Sequence, residues 1–326
     1  MKQITTWMIF LIMIVMSSIG TEVRAVPQLP ESDLTWKNVT VDEKKTTVFC
    51  MYRDSRGIMW TGTNSGLYFY DGVTVHPVEQ NELFGTQIYS IIERKGQLYL
   101  GGNNGLLIYD YENGMVNSTN VPLPKDIRCM LLFDDQLWVG SLYGIFLLDL
   151  NTGKISDYSA GLPHKSVYSI LRDSRGILYA GTYNGLARWN SNTGEFVKVK
   201  TDINNPDLKN LFVNCLLESP DNEKIYIGSE GSLFEYTPVN NSWTRIAALE
   251  NNNIKSLAKS NNGHIIIGTD NGVFDWYQDA IRHYRHDSRN ELSLSNNEIW
   301  CVFADRDHNI WAGHERGISI ASNSNT

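Results

Sequence analysis

One short signature recurs seven times along the 326-residue chain, and it limits the possible folds more than any other feature. Each copy is led by an aromatic or apolar residue and ends on glycine. The copies are Trp60-Thr61-Gly62, Tyr99-Leu100-Gly101, Trp138-Val139-Gly140, Tyr179-Ala180-Gly181, Tyr226-Ile227-Gly228, Ile266-Ile267-Gly268 and Trp311-Ala312-Gly313. Their glycines stand 39, 39, 41, 47, 40 and 45 residues apart. A second glycine follows four residues later in six copies, at 66, 105, 144, 185, 272 and 317; Ser232 takes that place in the fifth. Polar residues between two glycines mark a tight turn, and an apolar stretch such as Leu67-Tyr68-Phe69-Tyr70 follows it.

Upstream of each first glycine lies another apolar stretch, over residues 48–52, 88–92, 127–131, 167–171, 213–217, 254–258 and 299–303. Turns such as Asp54-Ser55-Arg56-Gly57 join most of these stretches to the signature. Each unit therefore reads as strand, hairpin, strand, glycine turn, strand and a more polar outer strand. Units of ~40–45 residues made of short strands are the mark of propeller blades. The fold predicted is all-β: a seven-bladed β-propeller of four-stranded antiparallel blades. The seventh unit stops after its third strand, at residues 318–321. Leu34-Thr35-Trp36-Lys37-Asn38-Val39 resembles the other outer strands. Pairing it with the last blade closes the ring and protects its final edge.

The first residues read differently. Lys2 precedes an unbroken apolar run over residues 7–16, and small and polar residues follow, ending in Val23-Arg24-Ala25. This order is that of an export leader over 1–25 with a cut after Ala25, leaving a propeller over 26–326. The run is short for a bilayer of ~30 Å, and no later stretch could span one. A periplasmic mature chain without a membrane span is expected. The net charge of −8 argues against nucleic acid as a partner.

An exported chain with four cysteines suggests two disulfides. The repeat register says otherwise. Cys50, Cys129, Cys215 and Cys301 all occupy the third position of a first strand, where Ser90, Ser169 and Ser256 stand in the other units. Equivalent places around a ring are mostly too far apart to bridge, so free thiols are expected.

The repeat resembles that of the two-component regulator propellers: a strand of the type Ile-x-Ser-Ile, an Asp-x-x-Gly turn, Trp-x-Gly-Thr and then Asn-Gly-Leu. Here it reads Val167-Tyr168-Ser169-Ile170, then Asp173 and Gly176, then Tyr179-Ala180-Gly181-Thr182-Tyr183-Asn184-Gly185-Leu186. The resemblance covers residues 34–321. It implies the periplasmic sensor part of a hybrid two-component system, a class in which many members respond to glycans. It also implies a longer chain, with a second propeller, a membrane helix and a histidine kinase; none of these is found here. The partners it implies are an oligosaccharide and a second propeller or kinase-bearing chain.

No motif of a hydrolase, metalloprotease or phosphate-binding loop appears, and no cofactor or metal is expected. The acidic turns at Asp54, Asp173 and Asp305 read as solvated hairpins. The informative positions are those where the units disagree. The second residue of the first strand is Phe49, Tyr89, Arg128, Tyr168, Asn214, Lys255 and Trp300 in turn. If each strand starts at one mouth of the axial channel, this position lines that mouth. Aromatic faces stack and polar groups orient, which suits a ring-shaped polyol. The candidate ligand site is therefore Tyr89, Arg128, Tyr168, Asn214, Lys255 and Trp300. Glycine-turn tips add Tyr143, Tyr183, Glu230, Asp270, His314, Glu315 and Arg316, and the longest connections span residues 200–212 and 285–298.

Three function classes compete. A non-catalytic sensor is the favoured reading. A lyase of the streptogramin type needs a histidine and an acid on one face, and His314 with Glu315 is the candidate pair. A protein-interaction scaffold is the third.

Overall fold

The computed structural model describes residues 22–27, 34–41, 46–118, 121–201, 208, 210–278 and 280–322. Seven antiparallel sheets follow one another along the chain. Blade one runs Val48–Arg53, Met59–Thr63, Gly66–Tyr70 and Val75–Pro77, and the same order repeats in blades two to six, while blade seven follows it for its first three strands. First strands lie side by side around the axis, and that of blade seven lies beside that of blade one. The chain is the seven-bladed propeller that its repeat predicts.

A three-residue contact holds each blade to the next. The first residue of every first strand is β-branched: Val48, Ile88, Ile127, Val167, Val213, Ile254 and Ile299. Each is fully buried. It presses on the signature glycine of the preceding blade. A Cβ on Gly140 would stand 2.8 Å from Val167 Cγ1 and 2.5 Å from Cys129 Sγ. The glycine therefore lets two sheets approach, and a methyl group there would force them apart. Cys129 pairs across its own sheet with Gly140, as Cys50 does with Gly62 and Ser169 with Gly181. The sulfur or hydroxyl fills the space that the glycine leaves.

All four cysteines are free. The residues at 50, 129 and 215 are half-buried, yet their sulfurs turn into the seam between blades. Cys50 Sγ donates to Ile88 O at 3.7 Å and Cys301 Sγ to Val48 O at 3.6 Å, each in the following blade. Burial pushes the Cys50 and Cys215 thiols up to about 12 and raises Cys129 and Cys301 as well. Thiolate, not thiol, is the reactive form. A thiol-reactive dye should thus label four cysteines in denatured, unreduced protein and almost none in the native state. Fewer than four in the denatured sample would mean disulfides and a wrong register.

The ring closes as its sequence suggests. Trp36–Val39 pairs antiparallel with the third strand of blade seven, Trp36 opposite Ala321 and Val39 opposite Ile318. Trp36 is 3% exposed and packs edge-on to Tyr284 at 5.8 Å. Asn38 ties this strand to the loop before blade seven, donating from Nδ2 to Ser293 O at 2.9 Å. Its Oδ1 accepts from Ser319 Oγ at 2.6 Å.

Two features depart from expectation. Asp54, Asp173 and Asp305 are 5%, 3% and 4% exposed, not solvated. Asp54 Oδ1 accepts the backbone N–H groups of Arg56 and Ile58, and Oδ2 accepts Trp60 Nε1 at 2.9 Å. Asp305 does the same with Asp307, Asn309 and Trp311. Each carboxylate thus fastens a hairpin to the signature aromatic six residues on. Burial by itself would raise the Asp54 carboxyl, but hydrogen bonds from Trp60, Arg56 and Ile58 bring it below its ordinary value. The second departure is a fifth strand. Glu22–Arg24 pairs in parallel with Ser242–Ile246, the outer strand of blade five. The rest of the segment read as a leader, residues 1–21, lies outside the described residues.

Candidate functional site

Every first strand carries a β-bulge at its second residue. The ladder slips between Val48 and Cys50, Ile88 and Ser90, Ile127 and Cys129, Val167 and Ser169, Val213 and Cys215, Ile254 and Ser256, and Ile299 and Cys301. A bulge leaves its extra residue unpaired and re-aims the side chain. The residue released in each blade is the one at which the blades differ. All six candidate residues, Tyr89, Arg128, Tyr168, Asn214, Lys255 and Trp300, line one cavity of about 800 Å³ with Phe49. Its wall includes the apolar Met51, Ile170, Leu216, Leu257 and Val302 from two residues further along the strands.

The lining is a chain of stacked contacts. Lys255 Nζ lies 3.9 Å from the Trp300 ring centre. Phe49 bridges Trp300 at 5.6 Å and Tyr89 at 5.0 Å. The Arg128 guanidinium lies 4.1 Å over Tyr89. Five side chains from blades six, seven, one, two and three thus form a continuous arc. On the other side Tyr168 packs on Phe212 at 4.7 Å, and Phe212 on Tyr183 at 5.3 Å. Tyr183 is 55% exposed, so aromatic faces continue from the channel to its rim.

The polar members are not equally free. Asn214 Nδ2 donates to Ile254 O of the next blade at 3.1 Å, which makes it partly a brace. Tyr89 donates its hydroxyl to Gln87. Lys255 pairs with Glu298 at 2.7 Å. Arg128 meets Asp126 only at 3.9 Å, and its Nε is buried without a hydrogen-bond partner among the described residues. An orphaned buried donor is costly, so Arg128 is the group most in need of an acceptor. Glu230, singled out at a glycine-turn tip, also lines the cavity, as do Phe49, Phe212 and Asn253, which stand outside the candidate set. The second-position register marks Phe49; Phe212 ends the long 200–212 connection, where no periodicity points to it.

The pair considered for lyase chemistry is closed to a substrate. His314 is fully buried. Its Nδ1 accepts the Arg316 N–H at 3.1 Å, and its Nε2 lies 2.9 Å from Ser295 Oγ and 3.0 Å from Ser319 Oγ. Both nitrogens are occupied, and Glu315 takes Asn296 Nδ2 at 3.0 Å. At the far ends of the strands a cavity of about 450 Å³ lies between the Asp54 and Asp305 turns. Its Arg53 and Arg56 pair with Asp307 and Asp54. No group of three or more His, Cys, Asp or Glu among the described residues could hold a metal ion. No helix among them is long and apolar enough to cross a membrane.

Comparison with known proteins bears on the fold and the family. The family model of the two component regulator propeller matches residues 43–65, 161–184 and 293–316, in blades one, four and seven. The extracellular domain of BT4673 from B. thetaiotaomicron, described both as a one-component and as a hybrid two-component system, is 38% identical with a TM-score of 0.83. The match covers 88% of this chain and 40% of that one, so the chain spans well under half of its relative. The extracellular domain of BT3049 from the same organism is 22% identical, with a TM-score of 0.76 over 89% of this chain and 42% of that one. Virginiamycin B lyase from Staphylococcus aureus shares the fold at 14% identity and a TM-score of 0.69, over 89% of this chain and 99% of that one. No curated protein matches the chain.

Proposed function

The chain belongs to the two-component regulator propeller family, and from that premise we propose that it is a non-catalytic periplasmic sensor propeller that binds an oligosaccharide at one channel mouth. One observation carries this reading. Seven bulges turn seven side chains of six kinds into one cavity, while the blades repeat their seam residues almost unchanged. The fold alone does not require that difference.

The chemistry fits a ring-shaped polyol. Trp300 and Tyr168 offer faces for the apolar side of a sugar ring, and the partly exposed Arg128 guanidinium offers a donor for a hydroxyl or acid oxygen. Aromatic faces reach the rim through Phe212 and Tyr183, so the ligand is longer than one ring. The extracellular placement of the relatives and the leader-like N-terminus support export. Binding would be passed to a second propeller or a kinase-bearing chain, as the greater length of the relatives suggests.

Calorimetry against oligosaccharides graded in length and composition tests this. One class should bind, and Trp300→Ala should weaken it about tenfold, equivalent to ~1.4 kcal/mol of lost stacking. Trp300 is 37% exposed, so the melting temperature should barely move. If no saccharide binds, or if Trp300→Ala simply unfolds the domain, the channel mouth is structural.

A further inference from the structure

We infer that the export leader is removed ahead of Glu22, not after Ala25, and that the new N-terminus is a working part of the fold. This rests on the reading of the first residues as a leader. It goes beyond that reading in placing the cut and in giving the retained residues a task.

The retained segment crosses from blade five to blade six. Glu22, Val23 and Arg24 pair in parallel with Thr244, Arg245 and Ile246 on the outer edge of blade five. Arg24 Nη1 meets Glu235 Oε1 at 2.9 Å, and the Glu235 side chain is only 3% exposed. The same guanidinium lies 5.3 Å over Trp276 of blade six. Val26 is 8% exposed and joins a core cluster with Ile246, Trp276 and Ile281. Pro27 O accepts the N–H of Ile281, in the outer strand of blade six, at 3.0 Å. One strand, one ion pair, one apolar side chain and one backbone bond thus staple two neighbouring blades.

A cut after Ala25 would undo this at two points. It removes Arg24 and leaves Lys224, at 3.1 Å, to answer the buried Glu235 alone. Removing one partner of a buried charge is more costly than losing a surface pair. The cut also creates an α-ammonium on Val26, a residue placed in an apolar cluster. The sequence offers a site that avoids both. Ser18-Ile19-Gly20 places small residues at −3 and −1 of a bond before Thr21 and follows the apolar run over 7–16 closely. Only five residues, Thr21 to Ala25, separate the two cuts, but they include the whole added strand.

The test is the intact mass of the full chain exported by a Gram-negative host. A mature chain starting at Thr21 supports the inference, and one starting at Val26 overturns it. Uncleaved chain starting at Met1 overturns the leader reading itself, which is a separable failure. Gly20→Leu should abolish processing, whereas Ala25→Leu, at an exposed position, should not. The opposite pattern overturns the proposed site. Chains starting at Thr21 and at Val26 should then differ in melting temperature by about 2–4 °C or more, the longer being the more stable. Equal melting temperatures would contradict the staple.

Discussion

A chain that begins at Val41 should aggregate, whereas one that begins at Leu34 should stay monomeric. The difference is the closing strand, Trp36–Val39. Without it the third strand of blade seven presents a row of unpaired backbone groups, a template for another chain. Several contacts vanish together. Trp36 leaves its site against Tyr284, and truncating one such buried aromatic costs about 3–5 kcal/mol. Ser319 Oγ loses its acceptor at Asn38 Oδ1, and the Ser293 carbonyl loses the Asn38 Nδ2 donor. Gly317, at φ +118, is shaped for this neighbour: a Cβ there would stand 2.3 Å from Val39 O. Size-exclusion chromatography with light scattering compares the two chains. Monomeric, equally heat-stable protein from both would mean that the ring does not depend on this strand.

Acid should weaken the same closure through His314. Burial, assisted by the nearby Arg316 charge, lowers its pKa from 6.5 to about 4. Between those values the unfolded chain takes a proton at this position and the folded chain does not. Stability from the neutral imidazole is therefore complete above pH 6.5 and is lost as the pH falls toward 4. A gap of this size corresponds to roughly 3 kcal/mol. The groups around the ring are Ser295, Ser319 and the Arg316 backbone, with no carboxylate bonded to it that could stabilise an imidazolium. Denaturant unfolding at a series of pH values, on the wild type and on His314→Gln, isolates the contribution. The variant should show a shallower fall between pH 6.5 and 4. Identical slopes would place the acid sensitivity elsewhere.

Much of this architecture is legible because the ring repeats it. Gly140 and its counterparts are needed wherever two first strands approach, so their spacing reports the blades directly. Val167 and its equivalents are β-branched for the same contact. The candidate site is legible for the opposite reason: Arg128, Lys255 and Trp300 occupy a register that the seam leaves unconstrained.

Other features are hidden for physical reasons. The bulge at Phe49 puts Val48 against blade seven and Cys50 against blade two, a break in alternation that an unbroken run of apolar residues does not reveal. Asp54 looks like any turn aspartate; its burial depends on Trp60 reaching back across the hairpin with an indole N–H. His314 stands beside two charged residues, Glu315 and Arg316, and reads as exposed, yet the closing strand and the loop carrying Ser295 cover it. The fifth strand of blade five is three residues long and lies in a stretch whose composition speaks of a leader.

The most direct test of the channel-mouth site is a crystal structure of the propeller with the tightest oligosaccharide from the calorimetric panel. The account predicts a sugar ring in the 800 Å³ cavity, stacked on Trp300 or Tyr168, with an oxygen within hydrogen-bond distance of the Arg128 guanidinium. A ligand seated on the outer strands, or at the opposite end between the Asp54 and Asp305 turns, would contradict it.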